Sequence, residues 1–350
     1  MTADVGSAAG DHAILARGLV KSYKGKRGQP GKDAVRGIDL AIDHGEVFGF
    51  LGPNGAGKTT TVRMLCTLLP ITDGEAFVDG VDVRKHPAEV RKRLGVALQE
   101  AGLDMFQTGR ELLTLQAGLH RVPNPAARAA QLIELVGLTD AADRSLKGYS
   151  GGMKRRLDLA TALVHEPRVL FLDEPTTGLD PASRQTVWEE VRRINANGTT
   201  VFLTTQYLEE ADALCERLAI IDDGELVREG TPEGLKAALG ADVVTIGLEP
   251  GERDRARDAL GSLDGLDHSA DDDEGLALYV ADGAGSIAEI VRLLAGAEIS
   301  PGTVQVSRPS LDDVFLDATG HRIEGVDGHG AEADGDAESD PSATTVEVNA

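Results

Sequence analysis

Aromatic residues make up only 3% of the 350-residue chain, with a single tryptophan, so aliphatic side chains must fill the core. Cysteine is nearly missing. Cys66 and Cys215 stand far apart, which excludes a paired disulfide framework and fits a reducing, cytosolic compartment. No run of about 18 apolar residues occurs, so the chain is not expected to span a membrane by itself. The opening MTADVGSAAGDHA has neither a basic start nor an apolar stretch and does not read as a signal peptide. Basic residues are in deficit, 35 against 58 acidic ones, for a net charge of −23. That argues against a nucleic-acid surface spread over the whole protein, though not against one local basic patch.

The length allows two domains or three. Residues 1–12 read as a flexible start. From 13 to about 230, strand-like and helix-like segments alternate, as in an α/β core. Between 231 and 320 the pattern becomes strand (243–248), helix (about 251–262), two strands around an acidic turn (271–274), helix (287–294) and strand (303–307). Thr231 and Pro232 open a short helix ahead of them. The order β-α-β-β-α-β predicts a small ferredoxin-like α+β accessory domain. Residues 321–350 hold eight carboxylates and one arginine with almost no large apolar residue, and read as a disordered acidic tail.

The most informative stretch is VFGFLGPNGAGKTTTVRML. An apolar strand runs through Gly52, Pro53, Asn54, Gly55, Ala56, Gly57, Lys58, Thr59 and Thr60 into an apolar helical pattern with Val62 and Leu65. This is the G-x-x-x-x-G-K-[ST] loop in its strand–loop–helix setting. Glycines let backbone N–H groups turn inward as an anion nest, and the helix aims its N-terminal dipole at the same point. Lys58 supplies a cation for the β- and γ-phosphates, and Thr59 a hydroxyl for Mg²⁺. VLFLDEP adds a buried strand ending in Asp173 and Glu174, the first suited to holding the metal and the second to polarising water.

GYSGGMKRRLD then narrows the choice. Ser150, Gly151 and Gly152 resemble the signature motif of ATP-binding cassette (ABC) ATPases, and they form a second anion site at the start of a second helix. In that family the signature of one subunit closes over nucleotide held by the other, so the resemblance implies a head-to-tail dimer. It also implies that Tyr23 stacks on adenine, that Gln99 contacts Mg²⁺ and water, and that Asp180 of TGLDP lies in the loop crossing the dimer. Asp180 is a helix cap as well, with Pro181 behind it. Two positions depart from the family pattern. Met153 replaces the usual glutamine of the signature, and Gln206 stands where a histidine is usual. Glutamine can donate to a γ-phosphate but takes up no proton near neutral pH. Both departures, with PSLDDVFLDATG, resemble the daunorubicin/doxorubicin-resistance exporter branch.

The span from Gln99 to Tyr149 fits the family's helical subdomain. Thr108 and Glu111 have capping-box spacing, and Leu112, Leu115 and Leu119 follow at helical spacing and read mostly as core. The fold expected is therefore α/β: a P-loop NTPase core of ABC type with antiparallel β and helical subdomains, a C-terminal α+β domain and an acidic tail. The function expected is that of an ATP- and Mg²⁺-dependent ATPase subunit, paired or homodimeric. It would sit at the cytoplasmic membrane face through a separate permease and drive export of a drug or antibiotic. A soluble ABC ATPase serving ribosomes or DNA, and a nucleotide-dependent regulator that does not hydrolyse, stay open at this point.

Overall fold

The computed structural model describes residues 10–24, 31–98, 104–239, 242–249, 251–272, 275–307 and 309–320. Gln99, most of the opening segment and the acidic tail lie outside the described residues.

In chain order the first elements are β1 (Ile14–Tyr23), β2 (Lys32–Ile42), β3 (Val47–Leu51), α1 (Lys58–Leu65), β4 (Asp73–Val78), β5 (Val81–Asp82), α2 (Pro87–Val90) and β6 (Leu94–Ala97). Next come α3 (Gly109–Leu119), α4 (Pro125–Leu135), α5 (Gly151–Ala162), β7 (Val169–Asp173), α6 (Pro181–Ala196), β8 (Thr200–Thr205), α7 (Leu208–Leu214), β9 (Arg217–Asp222) and β10 (Glu225–Gly230). The last are α8 (Pro232–Ala238), β11 (Asp242–Gly247), α9 (Arg253–Leu260), β12 (Leu266–Asp271), β13 (Gly275–Val280), α10 (Gly283–Gly296), β14 (Thr303–Ser307) and α11 (Leu311–Thr319).

The central sheet runs β10-β9-β3-β8-β7-β6. Its strands from β9 to β6 are mutually parallel, and β10 turns back antiparallel on the edge. β3, β7 and β8 are buried at every position, as expected of parallel strands covered on both faces. Alternation sorts their side chains. Phe48, Phe50, Phe171 and Phe202 point to the face covered by α1 and the antiparallel sheet β2-β1-β4-β5. Phe202 lies 5.9, 5.4 and 5.4 Å from the other three ring centroids, so a chain short of aromatics spends four of them at one contact. Val47, Leu51, Leu170, Leu172, Val201 and Leu203 point to the opposite face, under the helices.

α3 starts with the capping box foreseen from Thr108 and Glu111. Its leucines do not all go inward. Leu112 and Leu113 are buried, whereas Leu115 and Leu119 are 48% and 67% exposed. The buried stripe follows Gly109, Leu112, Leu113 and Ala117, which leaves 115 and 119 on the far side of the helix.

The C-terminal sheet has the order β12-β13-β11-β14, with all neighbours antiparallel, which is the ferredoxin-like arrangement that the element order suggests. α9 and α10 cover one face around Ala256, Leu260, Ile290 and Leu294. α10 is longer than the expected 287–294, because Asp282 caps it by accepting from the Gly285 N–H at 2.9 Å and so carries the helix through two glycines. On the other face, Val243, Ala277 and Tyr279 meet Leu311, Val314 and Phe315 of α11. α11 in turn rests on α7, α8, β9 and β10, so this face joins the core of the preceding elements.

Candidate nucleotide site

β3 delivers the chain into the loop 52–57 between two close backbones. A Cβ at Gly52 would lie 2.3 Å from the Ile221 carbonyl oxygen, and one at Gly57, where φ is 113°, would lie 2.5 Å from that of Ala34. Only glycine fits either place. Gly57 is the N-cap of α1 and offers no side-chain bond, so the first N–H groups of the helix face the loop without a cap. Lys58 is buried at the first turn, and its ammonium donates to the carbonyls of Gly52 and, at 3.1 Å, of Pro53. Burial pulls its pKa down, while Glu174 and Asp173 push it back up.

β7 ends beside this loop. Asp173, 2% exposed, accepts from the Thr204 hydroxyl at 2.5 Å and from the Thr59 hydroxyl at 3.5 Å. Glu174 follows with φ 48°, an unusual backbone for a residue with a side chain. Its N–H donates to the Thr204 carbonyl at 3.0 Å and to the Thr204 hydroxyl at 3.1 Å. The Thr177 hydroxyl donates to its carboxylate at 3.2 Å. A cavity of about 190 Å³ is bounded by Pro53, Asn54, Gly55, Gly57, Lys58, Thr59, Thr60 and Glu174. Buried Ala56 packs behind the loop, and buried Asp173 reaches the Thr59 hydroxyl of the cavity wall.

The structure thus brings the two carboxylates to the phosphate loop across 114 residues of sequence. The strand order explains why: β8 lies between β3 and β7, and all three end on the same side. Gln206, half-buried just past β8, stands between the loop after β3 and the carboxylates after β7. It does not line the cavity, and neither does Tyr23, which is 44% exposed at the end of β1 with the Lys21 ammonium 5.3 Å from its ring centroid.

The signature residues lie elsewhere. Ser150 caps α5, its hydroxyl accepting from the Met153 N–H at 3.2 Å, and Ser150 and Gly151 are exposed. Asp180 caps α6, accepting from the Ser183 N–H at 3.0 Å and hydroxyl at 2.6 Å, and those bonds hold its carboxyl below the ordinary range. Gly152 packs against Ser183, so the two loops share one surface. Sequence reasoning missed Thr204 and Thr177. The only signal for Thr204 was a polar pair closing the apolar run TVFL, and it could have been read as a partner for the neighbouring acidic strand end.

A phosphate loop on a parallel sheet, an acidic strand end beside it and a separately exposed signature loop define the nucleotide-binding cassette of an ABC transporter. Residues 35–177 match the ABC transporter family. The chain is 45% identical over 317 residues to the daunorubicin resistance ATP-binding protein DrrA2 of Streptomyces coeruleorubidus, covering 89% of this chain and 97% of that protein. It is 46% identical over 316 residues to the daunorubicin/doxorubicin resistance ATP-binding protein DrrA of Streptomyces peucetius, covering 88% and 93%. Among solved structures, a dimeric ATP-binding cassette in a post-hydrolysis state with ADP and Pi superimposes with a TM-score of 0.57 at 25% identity, over 62% of this chain and 98% of that one. The chain belongs to the ABC transporter ATP-binding family, and it is an ATPase. Cassettes of this family dimerise and work with a membrane component. Among the described residues no helix is long and apolar enough to cross a membrane.

Proposed function

We propose that the chain energises efflux of a drug or antibiotic through a separate membrane permease, acting as a pair of cassettes at the cytoplasmic membrane face. In this reading residues 13–230 form the cassette and residues 231–320 an accessory domain that steadies the dimer or the permease contact. The observation that carries it is the convergence of Lys58, Thr59 and Glu174 on one cavity, with Asp173 accepting from the Thr59 hydroxyl. The relatives' names, daunorubicin and doxorubicin resistance, supply the substrate class.

Lys58 and the N–H groups of 52–60 hold the β- and γ-phosphates, exchanging the lysine's carbonyl partners for phosphate oxygens. The Thr59 hydroxyl and the Asp173 carboxylate are hard oxygen donors 3.5 Å apart, a set that fits Mg²⁺, with Gln99 as a further donor. When bound, that ion neutralises charge on the phosphates. Glu174 accepts a proton from the attacking water, and Gln206 donates to the γ-phosphate. Tyr23 stacks on adenine. Ser150, Gly151, Gly152 and Asp180 reach nucleotide held by the partner copy.

Glu174→Gln tests the assignment. It should keep ATP affinity, cut phosphate release by about 100-fold or more, and accumulate a nucleotide-bound dimer. Hydrolysis at the parent rate would remove Glu174 from its role. Co-purification tests the class: a hydrophobic permease is expected, and ribosomes or DNA would favour the soluble alternative.

A further inference from the structure

Arg155 lies one turn into α5, in the basic run behind the signature loop, and it does not face solvent. Its side chain is only 12% exposed. Nε–H donates to the Pro175 carbonyl at 2.9 Å, one terminal amino group to the Asp173 carbonyl at 3.0 Å, and the other to the Leu98 carbonyl at 2.7 Å and to Asp158 at 3.2 Å. Two of these carbonyls belong to the residues on either side of Glu174, and the third precedes Gln99.

Glu174 needs such a hold. Its φ of 48° lies in the left-handed region, which is strained for a residue with a Cβ. Thr204 fixes the peptide from the β8 side through the Glu174 N–H. From the α5 side only a planar, five-donor fork can span both flanking carbonyls at once. Burial strengthens those bonds and makes their loss expensive, because the carbonyls have no water to turn to. We propose that Arg155 is a positioning residue for hydrolysis: by clasping the carbonyls of Asp173 and Pro175 it holds the Glu174 backbone in the conformation that aims the carboxylate into the nucleotide cavity. This rests on Glu174 being the general base. The clasp also ties that base to α5, the helix that begins with the signature.

The test uses the full chain with its permease in proteoliposomes, comparing Arg155→Gln, Arg155→Lys, Glu174→Gln and the double variant Arg155→Gln/Glu174→Gln. Arg155→Gln should lower kcat by roughly tenfold or more and leave ATP affinity within about twofold, because the phosphate loop is untouched. Arg155→Lys keeps the charge and the stem but cannot fork, and should show the same split. It decides the matter if the glutamine variant does not melt cooperatively. Combined with Glu174→Gln, the Arg155 change should cost nothing further in kcat, since it acts through the group already removed. Folded Arg155 variants at parental kcat overturn the proposal, and so does a full additional loss in the double variant. Failure of the base assignment shows separately, as a parental rate in Glu174→Gln alone.

Discussion

Two helices of this chain open on glycine-bearing loops, α1 at Gly57 and α5 at Ser150. At α1 the N-cap has no side chain to offer, and the loop ahead of it folds back against Ile221 and Ala34. Its N–H groups are left for a ligand in a cavity whose other wall, Glu174, comes from the same chain. At α5 the serine hydroxyl already caps the helix, and Ser150 and Gly151 are exposed. In the proposed reading a monomer contains one finished phosphate site and one half-site. On that proposal the second loop is used only in a dimer, and the two regions can be broken one at a time.

The largest effect is expected at the finished site. Lys58→Ala removes the buried cation, and tight ATP binding should fall by about 100-fold or more in a filter or calorimetric assay on the monomer. Unchanged affinity would mean that the cavity is not the nucleotide site. Gly151→Asp should do the reverse. A Cβ there meets nothing nearer than Leu179 at 3.8 Å, and an acid in the first helical turn is favourable, so the monomer should fold and bind ATP as the parent does. Facing a partner's triphosphate the carboxylate repels it, and hydrolysis should fall by about tenfold or more. Loss of monomer binding instead would put both loops in one site and erase the contrast.

A third change sharpens where one region stops and the other begins. α5 starts at the half-site but sends Arg155 and Asp158 inward, towards the finished one. Burial pushes the Asp158 carboxyl up to about 6, with Arg155 pulling the other way through a single 3.2 Å bond. An acid whose pKa is raised on folding keeps its proton in the native state after the unfolded chain has released it. Its contribution to stability is therefore full below about pH 4 and is lost as pH rises towards about 6. Between those limits the parent should lose about 2 kcal/mol more than Asp158→Asn in urea unfolding. Parallel pH dependences would mean that Asp158 is solvated and that α5 is not anchored as described.

How much of this was legible in the sequence depended on distance along the chain. The phosphate loop, the strand through Val47–Leu51 and the capping box of Thr108 and Glu111 are written in contiguous residues whose chemistry has few alternatives. The C-terminal strand order followed from element order alone, because a β-α-β-β-α-β chain has few ways to close a sheet. What stayed hidden depended on through-space partners. Leu115 and Leu119 share helical spacing with buried Leu112, yet only the packed helix shows that the inward stripe runs through Leu113 and Ala117. Thr204 carries only a faint local mark, a polar pair closing an apolar run, and Arg155 carries none. A threonine ending a strand and an arginine in a basic run are ordinary until the fold sets them against Asp173 and Glu174.

The smallest expected effect concerns whether the finished site is also chemically self-sufficient. Gln206 follows β8, between the phosphate loop and the carboxylate pair, and it can donate a hydrogen bond but cannot carry a proton. On the proposed mechanism Glu174, held by Thr177 and by its own backbone bonds to Thr204, is then the group that takes the proton of water. Gln206→His restores a donor of similar reach whose pKa is ordinarily about 6.5. If donation is all that this position supplies, kcat near pH 7.5 should stay within about threefold of the parent or rise. A sharp loss would show that the amide makes a contact the imidazole cannot. Glutamine would then be a working part of this site, and the site would differ from histidine-bearing cassettes in how it holds the γ-phosphate.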